Sequence, residues 1–542
     1  MSSMLGAKGF HPAYAATPIT INTVGAKRAR CTPGSCRRRY HEVDLWFIAL
    51  LESAMLKKFL AAGACLWIIF SPAERAFPQS PPQIDAWLED FAQLKHEMAA
   101  HYANLDWAVS ERRIDLKELS ELTETRLREA QSEAEARRVV ERFLQAFGDG
   151  HLSVRWPSPE SALANVKNTK PSADCFLCAR LGFQEQKTAP GIAFSRLQGF
   201  EQHTTPDSKY FPIGVLVLTE SKRIGLVRIA LFSEHRFPDL CETAASQFGL
   251  HKDSACDEAC GNRVELRAAD LLTAALERQL GTLKACSIDA LLVDITGNGG
   301  GSDWVEPAAR TLTGKRLRSP RIGFIKHEHW AKDFNKRLQD IERDAAVHPH
   351  NLLAQATETY RRALSEAKQP VARDGIWQNQ PVPALVANDP GLFASGTLPY
   401  LKPGELPNNP SSACLFYPSR YHYHEGIYSG PLLVVVDGST ASAAECFAAM
   451  LADNGAAVLL GSPTRGAGFG YTKGGIRTVL KNSGAQVKMP NGVRFRTDGT
   501  NEVAGITPSV RVPWRINDSA YQRAARVLAV LPDAIIGHRL PR

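Results

Sequence analysis

The 542-residue sequence lacks a hydrophobic run long enough to cross a membrane comfortably. Its apolar stretch near the N-terminus, Phe59–Phe70, is 12 residues long, whereas a transmembrane helix needs about 20. Lys57 and Lys58 precede that stretch and Ser71-Pro-Ala73 follows it, which is the form of a secretory signal peptide over residues 55–76. We therefore expect a secreted or periplasmic protein with no stable membrane span after cleavage; an uncleaved anchor is the alternative.

The sequence also lacks an excess of basic residues outside this leader. The net charge is +8, but the first 76 residues hold ten Lys or Arg and four Asp or Glu, which leaves 54 basic against 52 acidic residues. A nucleic-acid-binding surface is therefore not expected. Residues 1–54 show no hydrophobic periodicity and carry an Arg37–Arg39 cluster, so we expect Met55 to be the native start and residues 1–54 to be a non-native or disordered leader.

Cysteines are more frequent than a cytosolic protein would favour. Eleven are present, and eight lie beyond the leader: Cys175, Cys178, Cys241, Cys256, Cys260, Cys286, Cys414 and Cys446. In an exported chain we expect structural disulfides, whose pairing the sequence does not give. The alternative is a four-thiolate zinc site formed by Cys175, Cys178, Cys256 and Cys260. We expect neither a metal nor a cofactor.

The chain divides by pattern into three parts after the signal peptide. Residues 77–150 predict an N-terminal helical subdomain, because apolar residues recur at helical spacing up to the Gly148-Asp-Gly150 turn. Residues 151–222 mix short apolar runs with Pro, Gly and Ser, and predict a small β-rich module or a degenerate PDZ-like insert. Residues 223–542 form the core, with an insertion at about 315–430.

The core alternates fully apolar strands with helices. The predicted strands are 224–229, 290–295, 431–436 and 456–460, and the predicted helices are 268–283, 304–312 and 443–454. Strands that are apolar on both faces and alternate with helices indicate an α/β fold with a largely parallel, covered sheet.

Ser442 is a candidate nucleophile, because the segment Val436-Asp-Gly-Ser-Thr-Ala-Ser-Ala-Ala-Glu445 places it between a buried strand and a helix. Free N–H groups and the macrodipole at a helix N-terminus favour developing negative charge. Taken alone, such a serine is usually an N-cap. The flanks lack the Gly-x-Ser-x-Gly pattern, which disfavours an α/β-hydrolase fold.

Two further segments carry glycines beside polar groups. Gly299, Gly300 and Gly301 follow the buried strand that ends near Asp294, so a backbone amide of Gly299 or Gly300 can pair with that of Ala443 as an oxyanion hole. A phosphate-binding loop is the rival, but no Gly-Lys-Ser/Thr follows. In the second segment, Phe147-Gly-Asp-Gly-His151, the histidine lies on a glycine turn and alone would be incidental.

Together the Gly-Asn-Gly-Gly-Gly301 element and the Ser442 segment resemble the C-terminal processing peptidases. The resemblance covers roughly residues 82–151 and 223–515. It implies a Clp-protease/crotonase-like core of repeated ββα units, a serine-type peptidase mechanism and a peptide or protein substrate, and leaves the oligomeric state open.

One departure from the resemblance concerns the base. The Ser/Lys members carry a lysine in a Gly-Lys-Gly motif where this chain has Ala467, and alanine accepts no proton. The tricorn-like members use Ser-His-Glu, which His151 and Glu502 match in position. Because a serine needs an oriented base, the resemblance implies that Ser442 attacks, His151 transfers protons and Glu502 orients His151. Lys473 is the alternative base.

The sequence also allows other assignments of the orienting carboxylate and of the function. Glu445 and Asp149 compete with Glu502 for the carboxylate role, although we expect Glu445 to support the helix N-terminus and Asp149 to cap the turn beside His151. An inactive relative that binds peptides or apolar ligands in the same groove is the main functional alternative. A crotonase-like acyl-thioester enzyme is a third, which binding of coenzyme A would revive.

Overall fold

The computed structural model describes residues 83–157, 177–219, 222–347, 349–402, 405 and 411–539. The leader predicted over residues 1–54 and the signal peptide over 55–76 lie outside this part of the chain. Among the described residues, no helix combines the length and the apolar character needed to cross a bilayer.

Helices form the first described segment, as predicted. They are α1 (Ile84–His101), α2 (Leu105–Ser110), α3 (Leu116–Glu129) and α4 (Glu133–Ala146). The Asp115 carboxylate accepts a hydrogen bond from the Glu118 N–H at 3.0 Å and so begins α3. The apolar residues at helical spacing are buried, among them Phe91, Leu94 and Met98, and they pack into one hydrophobic cluster.

A mixed seven-stranded sheet forms the centre of the described core. The strands in chain order are β1 (Ser153–Arg155), β2 (Phe200–His203), β3 (Ile213–Thr219), β4 (Lys222–Arg228), β5 (Ala290–Asp294), β6 (Arg321–Ile325), β7 (Val386–Ala387), β8 (Leu432–Val436), β9 (Val458–Gly461), β10 (Thr478–Val479), β11 (Gln486–Lys488), β12 (Gly492–Phe495) and β13 (Val510–Arg511). The sheet order is β13-β9-β8-β5-β4-β3-β2. The pairs from β4 to β13 are parallel and β2-β3-β4 are antiparallel, so the largely parallel sheet is confirmed.

Both faces of this sheet are covered, because every residue of β5, β8 and β9 is buried. The later helices are α5 (Leu177–Arg180), α6 (Pro238–Gln247), α7 (Glu258–Ala285), α8 (Val305–Thr311), α9 (Glu328–Val347), α10 (Asn351–Ala367), α11 (Ser412–Leu415), α12 (Ala443–Asp453) and α13 (Ala520–Arg539). Side chains of α6, α7, α8 and α12 fill the core on one face. Side chains of α13 cover the other face.

The small module predicted over residues 151–222 needs a correction. Strands β2 and β3 extend the central sheet, since β3 pairs along its length with β4. Strand β1 instead pairs with β11 in a separate antiparallel sheet of order β1-β11-β10. The mixed Pro, Gly and Ser composition did not reveal that β3 is buried against the core.

The insertion predicted at about 315–430 contains a helical hairpin and two short strands. Helices α9 and α10 pack with β6, β7 and β12 in a hydrophobic cluster of their own. Strand β6 pairs with β12, which comes from residues after the insertion. This sheet therefore ties the insertion to the segment that carries Arg494 and leads to Glu502.

Disulfides take up four of the described cysteines, as expected for structural cysteines. Cys178 pairs with Cys241, and Cys256 pairs with Cys260. The alternative zinc site does not form, because three of its four thiols are in these bonds. Cys175, the fourth, lies outside the described residues.

Candidate active site

The two glycine- and serine-bearing loops meet at one edge of the central sheet. Strands β5 and β8 are parallel neighbours, so the loops that follow their carboxyl ends lie side by side. The Ala441 N–H donates to the Asn298 carbonyl at 3.0 Å. A Cβ atom added to Gly300 would lie 2.8 Å from the Ser442 Cβ and 2.9 Å from the Ala443 nitrogen. Only glycine fits at position 300, because the absence of a Cβ lets the backbone of this loop approach Ser442 closely.

Ser442 has a strained backbone. Its φ is 57° and its ψ is −118°, a combination that residues with a Cβ rarely adopt. Helix α12 begins at the next residue, and the Ser442 N–H donates to the Glu445 carboxylate at 2.9 Å. The prediction that Glu445 supports this helix N-terminus is confirmed. The turn directs the Ser442 hydroxyl out of the helix toward His151.

The turn after α4 fixes His151 through Asp149. Asp149 accepts the His151 N–H at 2.8 Å, the Asn104 side-chain amide at 2.8 Å and the Tyr102 hydroxyl at 3.1 Å. The predicted capping of the turn by Asp149 is therefore confirmed. Because Tyr102 and Asn104 lie between α1 and α2, the helical segment positions the imidazole.

The His151 ring lies between Ser442 and a backbone carbonyl. Its Nε2 is 3.0 Å from the Ser442 Oγ, and its Nδ1 is 2.6 Å from the Ala467 oxygen. A carbonyl oxygen can only accept, so Nδ1 carries the proton and Nε2 presents its lone pair to the serine hydroxyl. This is the tautomer that a general base requires.

Electrostatics favour the neutral form of this imidazole. Burial, the largest cause, lowers the pKa of His151 from its ordinary value of 6.5, and the Arg494 and Arg465 charges act in the same direction. The Ala467 carbonyl and the Glu445 carboxylate oppose this shift. His151 is therefore uncharged and able to accept a proton near neutral pH.

The predicted contact between Glu502 and His151 is not what the structure shows. Glu502 is fully buried, and its two oxygens face Arg494, at 2.9 Å from Nε and 2.5 Å from Nη2. A guanidinium fork matches both carboxylate oxygens, so it competes successfully for Glu502. Arg494 Nη2 also donates to the carbonyls of Ser442 at 3.1 Å and Gly468 at 2.9 Å. Glu502 is therefore linked to the Ser442 turn only indirectly, through the hydrogen bonds of Arg494.

Of the three backbone amides predicted for the oxyanion hole, that of Gly300 already donates a hydrogen bond, whereas those of Gly299 and Ala443 donate to no described residue. The Gly300 N–H donates to the Asn298 side-chain oxygen at 2.9 Å and is turned away from an incoming ligand. The amides of Gly299 and Ala443 have no acceptor within the described part of the chain. Gly299 is exposed, and nothing lies within 4 Å of its Cβ position. Gly299 and Ala443 are thus the better-placed pair.

Two groups at the site carried no usable signal in the sequence, because the Ala467 carbonyl is a backbone group and Arg494 is one arginine among many. Asn298 belongs to the predicted glycine element, but its role as acceptor of the Gly300 N–H was not predicted. The alternative base Lys473 is held elsewhere, since its Nζ lies 2.6 Å from the Asp333 carboxylate.

The chain is similar to known proteins in sequence and in fold. The sequence model of peptidase family S41 matches residues 223–512, more than half of the chain. The crystal structure of mature CPAF is 14% identical, with a TM-score of 0.50 over 84% of this chain and 99% of that one. Mature CPAF complexed with lactacystin gives a TM-score of 0.51 at the same identity and coverage. No curated protein matches the sequence.

The structural likeness, at this identity, shows the fold alone, which is the predicted α/β peptidase core. The family match covers both segments that face each other at the sheet edge, the glycine loop and the Ser442 turn. The chain therefore belongs to peptidase family S41 and is a serine-type peptidase.

Proposed function

We propose that this chain is an exported endopeptidase in which Ser442 and His151 cleave peptide bonds through an acyl-enzyme. The observation that carries the proposal is the 3.0 Å separation between His151 Nε2 and Ser442 Oγ, with Nδ1 fixed by the Ala467 carbonyl. A serine hydroxyl becomes a useful nucleophile when an oriented base takes its proton.

The proposed reaction has two proton transfers in each half. Ser442 Oγ attacks the substrate carbonyl carbon while His151 Nε2 takes the hydroxyl proton, and the amides of Gly299 and Ala443 hold the oxyanion. The C–N bond then breaks, and His151 returns the proton to the leaving amine. Water repeats the sequence on the acyl-enzyme, releasing the acid and restoring the Ser442 hydroxyl.

The proposed role of Glu502 is indirect. Its charge is neutralised by Arg494, which in turn holds the carbonyl groups of Ser442 and Gly468. Glu502 is thus a positioning residue in the proposal, acting on the nucleophile turn rather than on the imidazole. The proposal keeps the serine, histidine and glutamate that the family resemblance implies, but Glu502 contacts Arg494 instead of His151.

A cleft lies against the Gly148–Gly150 turn that leads to His151, and we propose that the substrate site extends into it, although neither His151 nor Ser442 lines it. It measures ≈ 450 Å³ and is lined by apolar Leu144, Leu152 and Val154 together with charged Glu141 and Arg465. Such a mixed wall suits a peptide with both apolar and polar side chains. The two disulfides support export to an oxidising compartment, secreted or periplasmic.

The inactive-relative alternative is motivated by Ala467, which stands where the dyad members carry lysine. The hydrogen-bonded His151 favours catalysis over pure binding. The deciding experiment treats the purified chain with a fluorophosphonate and measures casein cleavage. The proposal expects stoichiometric modification of Ser442 and loss of cleavage; casein cleavage that survives complete modification, or an unreactive Ser442 in folded protein, would reject it.

The pH dependence follows from the lowered pKa of His151. The base must be neutral, so activity is present above this pKa and disappears as pH falls through it. We expect the acid limb of kcat/KM to lie below pH 6.5, the ordinary value for histidine. Burial also raises the pKa of Asp149 to about 6, so titration of Asp149 could produce a limb in the same pH range. Asparagine does not titrate, so any acid limb that remains in the pH profile of Asp149→Asn belongs to His151. A limb above pH 6.5 in both proteins would contradict the assignment.

Gly300 offers a test of the close approach between the two loops. Its φ is +108°, and an alanine Cβ would meet the backbone around Ser442 at 2.9 Å or less. We expect Gly300→Ala to lower the free energy of unfolding by roughly 1–3 kcal/mol and kcat by on the order of 10²-fold. Gly314→Ala is the control, since nothing lies within 4 Å of its Cβ position. Equal urea-unfolding curves and rates for both variants would refute the packing argument.

A further inference from the structure

We infer that Glu445, rather than Glu502, is the carboxylate that orients the His151 ring through its Nδ1, acting through the backbone around Ala467, while Asp149 holds the His151 main chain. This inference rests on the proposed function and deepens it. Glu445 lies one turn into α12 and is fully buried. It is a positioning residue, because its carboxylate reaches the imidazole only through the backbone that His151 contacts.

The carboxylate of Glu445 is surrounded by donors. Oε1 accepts from the Thr464 hydroxyl at 2.6 Å and the Gly466 N–H at 2.7 Å. Oε2 accepts from the N–H groups of Ser442 at 2.9 Å, Ala467 at 2.9 Å and Gly468 at 3.3 Å. The Thr464 hydroxyl oxygen itself accepts the Ile506 N–H, so its proton is directed to Glu445. With every oxygen accepting at least two bonds, the group is held as a carboxylate.

A continuous hydrogen-bonded chain connects this carboxylate to the imidazole. His151 Nδ1–H donates to the Ala467 carbonyl at 2.6 Å, and the same peptide group offers its N–H, on Gly468, to Glu445 Oε2. Peptide resonance couples the two ends, because a hydrogen bond from the N–H makes the carbonyl oxygen a stronger acceptor. The negative charge thus supports the imidazolium that forms during proton transfer.

The same carboxylate also sets the distance between base and nucleophile. It holds the Ser442 N–H on one side and the N–H groups of Ala467 and Gly468 on the other. The nucleophile turn and the carbonyl that holds His151 are therefore bound to one rigid, buried group. Glu502 has no equivalent arrangement, since its charge faces Arg494.

Charges around the imidazole set the expected pH effect. Among the described residues, the Glu445 charge raises the pKa of His151, and the Arg494 and Arg465 charges lower it. Asp149 and Tyr471 contact the His151 main chain: Asp149 accepts the N–H, and the Tyr471 hydroxyl donates to the carbonyl. Removing the Glu445 charge therefore lowers the pKa of His151 further. A purely structural role for Glu445 would change the amount of folded protein without moving this pKa.

The test measures the rate of fluorophosphonate labelling at Ser442 against pH in the full chain, for wild type, Glu445→Gln and Glu502→Gln. We expect Glu445→Gln to label on the order of 10- to 10²-fold more slowly, a smaller loss than the ~10⁴-fold seen when a carboxylate contacts the base directly. The pH below which the labelling rate falls should be lower in Glu445→Gln than in wild type, and should be unchanged in Glu502→Gln. An unmoved limb in folded Glu445→Gln, or a shift only in Glu502→Gln, would overturn the inference.

Glu445→Asp covers the case in which the glutamine variant fails to fold. Aspartate keeps the charge near the α12 N-terminus but is one methylene too short to reach Gly468 and Ser442 together. We expect labelling about 10-fold slower than wild type; a wild-type rate and limb would overturn the inference. Failure of Ser442 to react in the wild-type chain would instead reject the proposed function, so the two failures are distinguishable.

Discussion

Ser442→Ala and His151→Ala are each expected to lower kcat for peptide hydrolysis by on the order of 10⁶-fold. The physical reason is that the hydroxyl and the imidazole act as one unit across the 3.0 Å hydrogen bond. The double variant should therefore be no slower than either single variant. Initial rates with casein and with a short fluorogenic peptide, on protein verified as folded by circular dichroism, measure the effect.

Ser439→Ala is the matched control for this prediction. Ser439 lies in the same loop three residues before the nucleophile and is exposed. Its replacement should leave the rate within about twofold of wild type and the unfolding free energy within about 0.5 kcal/mol. Substantial activity in folded Ser442→Ala, or a loss in Ser439→Ala comparable to that in Ser442→Ala, would remove Ser442 from the mechanism.

Arg494→Met is expected to destabilise the protein by roughly 3–5 kcal/mol, because it leaves the fully buried Glu502 without its partner. Burial raises the pKa of Glu502, and the Arg494 guanidinium opposes that rise, so the variant leaves a neutral carboxyl group with unmet hydrogen bonds. Activity should fall as well, since the carbonyl of Ser442 loses a donor. Urea unfolding and casein cleavage give the two readouts.

A second substitution separates the lost ion pair from other effects of Arg494→Met. Adding Glu502→Gln removes the unpaired acid, and we expect part of the stability to return while the activity does not. Arg496→Met is the control, because Arg496 pairs with Asp453 near the surface just beyond the same strand. A loss in Arg496→Met as large as that in Arg494→Met would contradict the account.

Those parts of the fold that depend on local pattern were predictable from the sequence. The apolar runs at 290–295 and 431–436 predict buried strands, and the structure confirms them to within one residue, as Ala290–Asp294 and Leu432–Val436. The small residues after Val436 predict a strand-to-helix turn, which places Ser442 at the start of α12. Parallel neighbours then bring the glycine loop to the serine, as the covered sheet requires.

The orientation of His151 could not be predicted from residue types. Its partner is the carbonyl of Ala467, and every residue has a carbonyl, so the sequence contains no mark of it. Glu502 is in the position that the family resemblance implies, but the fork of Arg494 binds both its oxygens. Competition between partners for one carboxylate is a property of the assembled core, which residue spacing does not report.

The rate at which a fluorophosphonate modifies Ser442, compared between wild type and His151→Ala at pH 7, tests the central claim most directly. We expect rapid, stoichiometric modification of wild type, located at Ser442 by peptide mass spectrometry, and modification slower by a factor on the order of 10³ in His151→Ala. Equal rates in the two proteins, with His151→Ala folded, would show that the ring 3.0 Å from the hydroxyl is not its base.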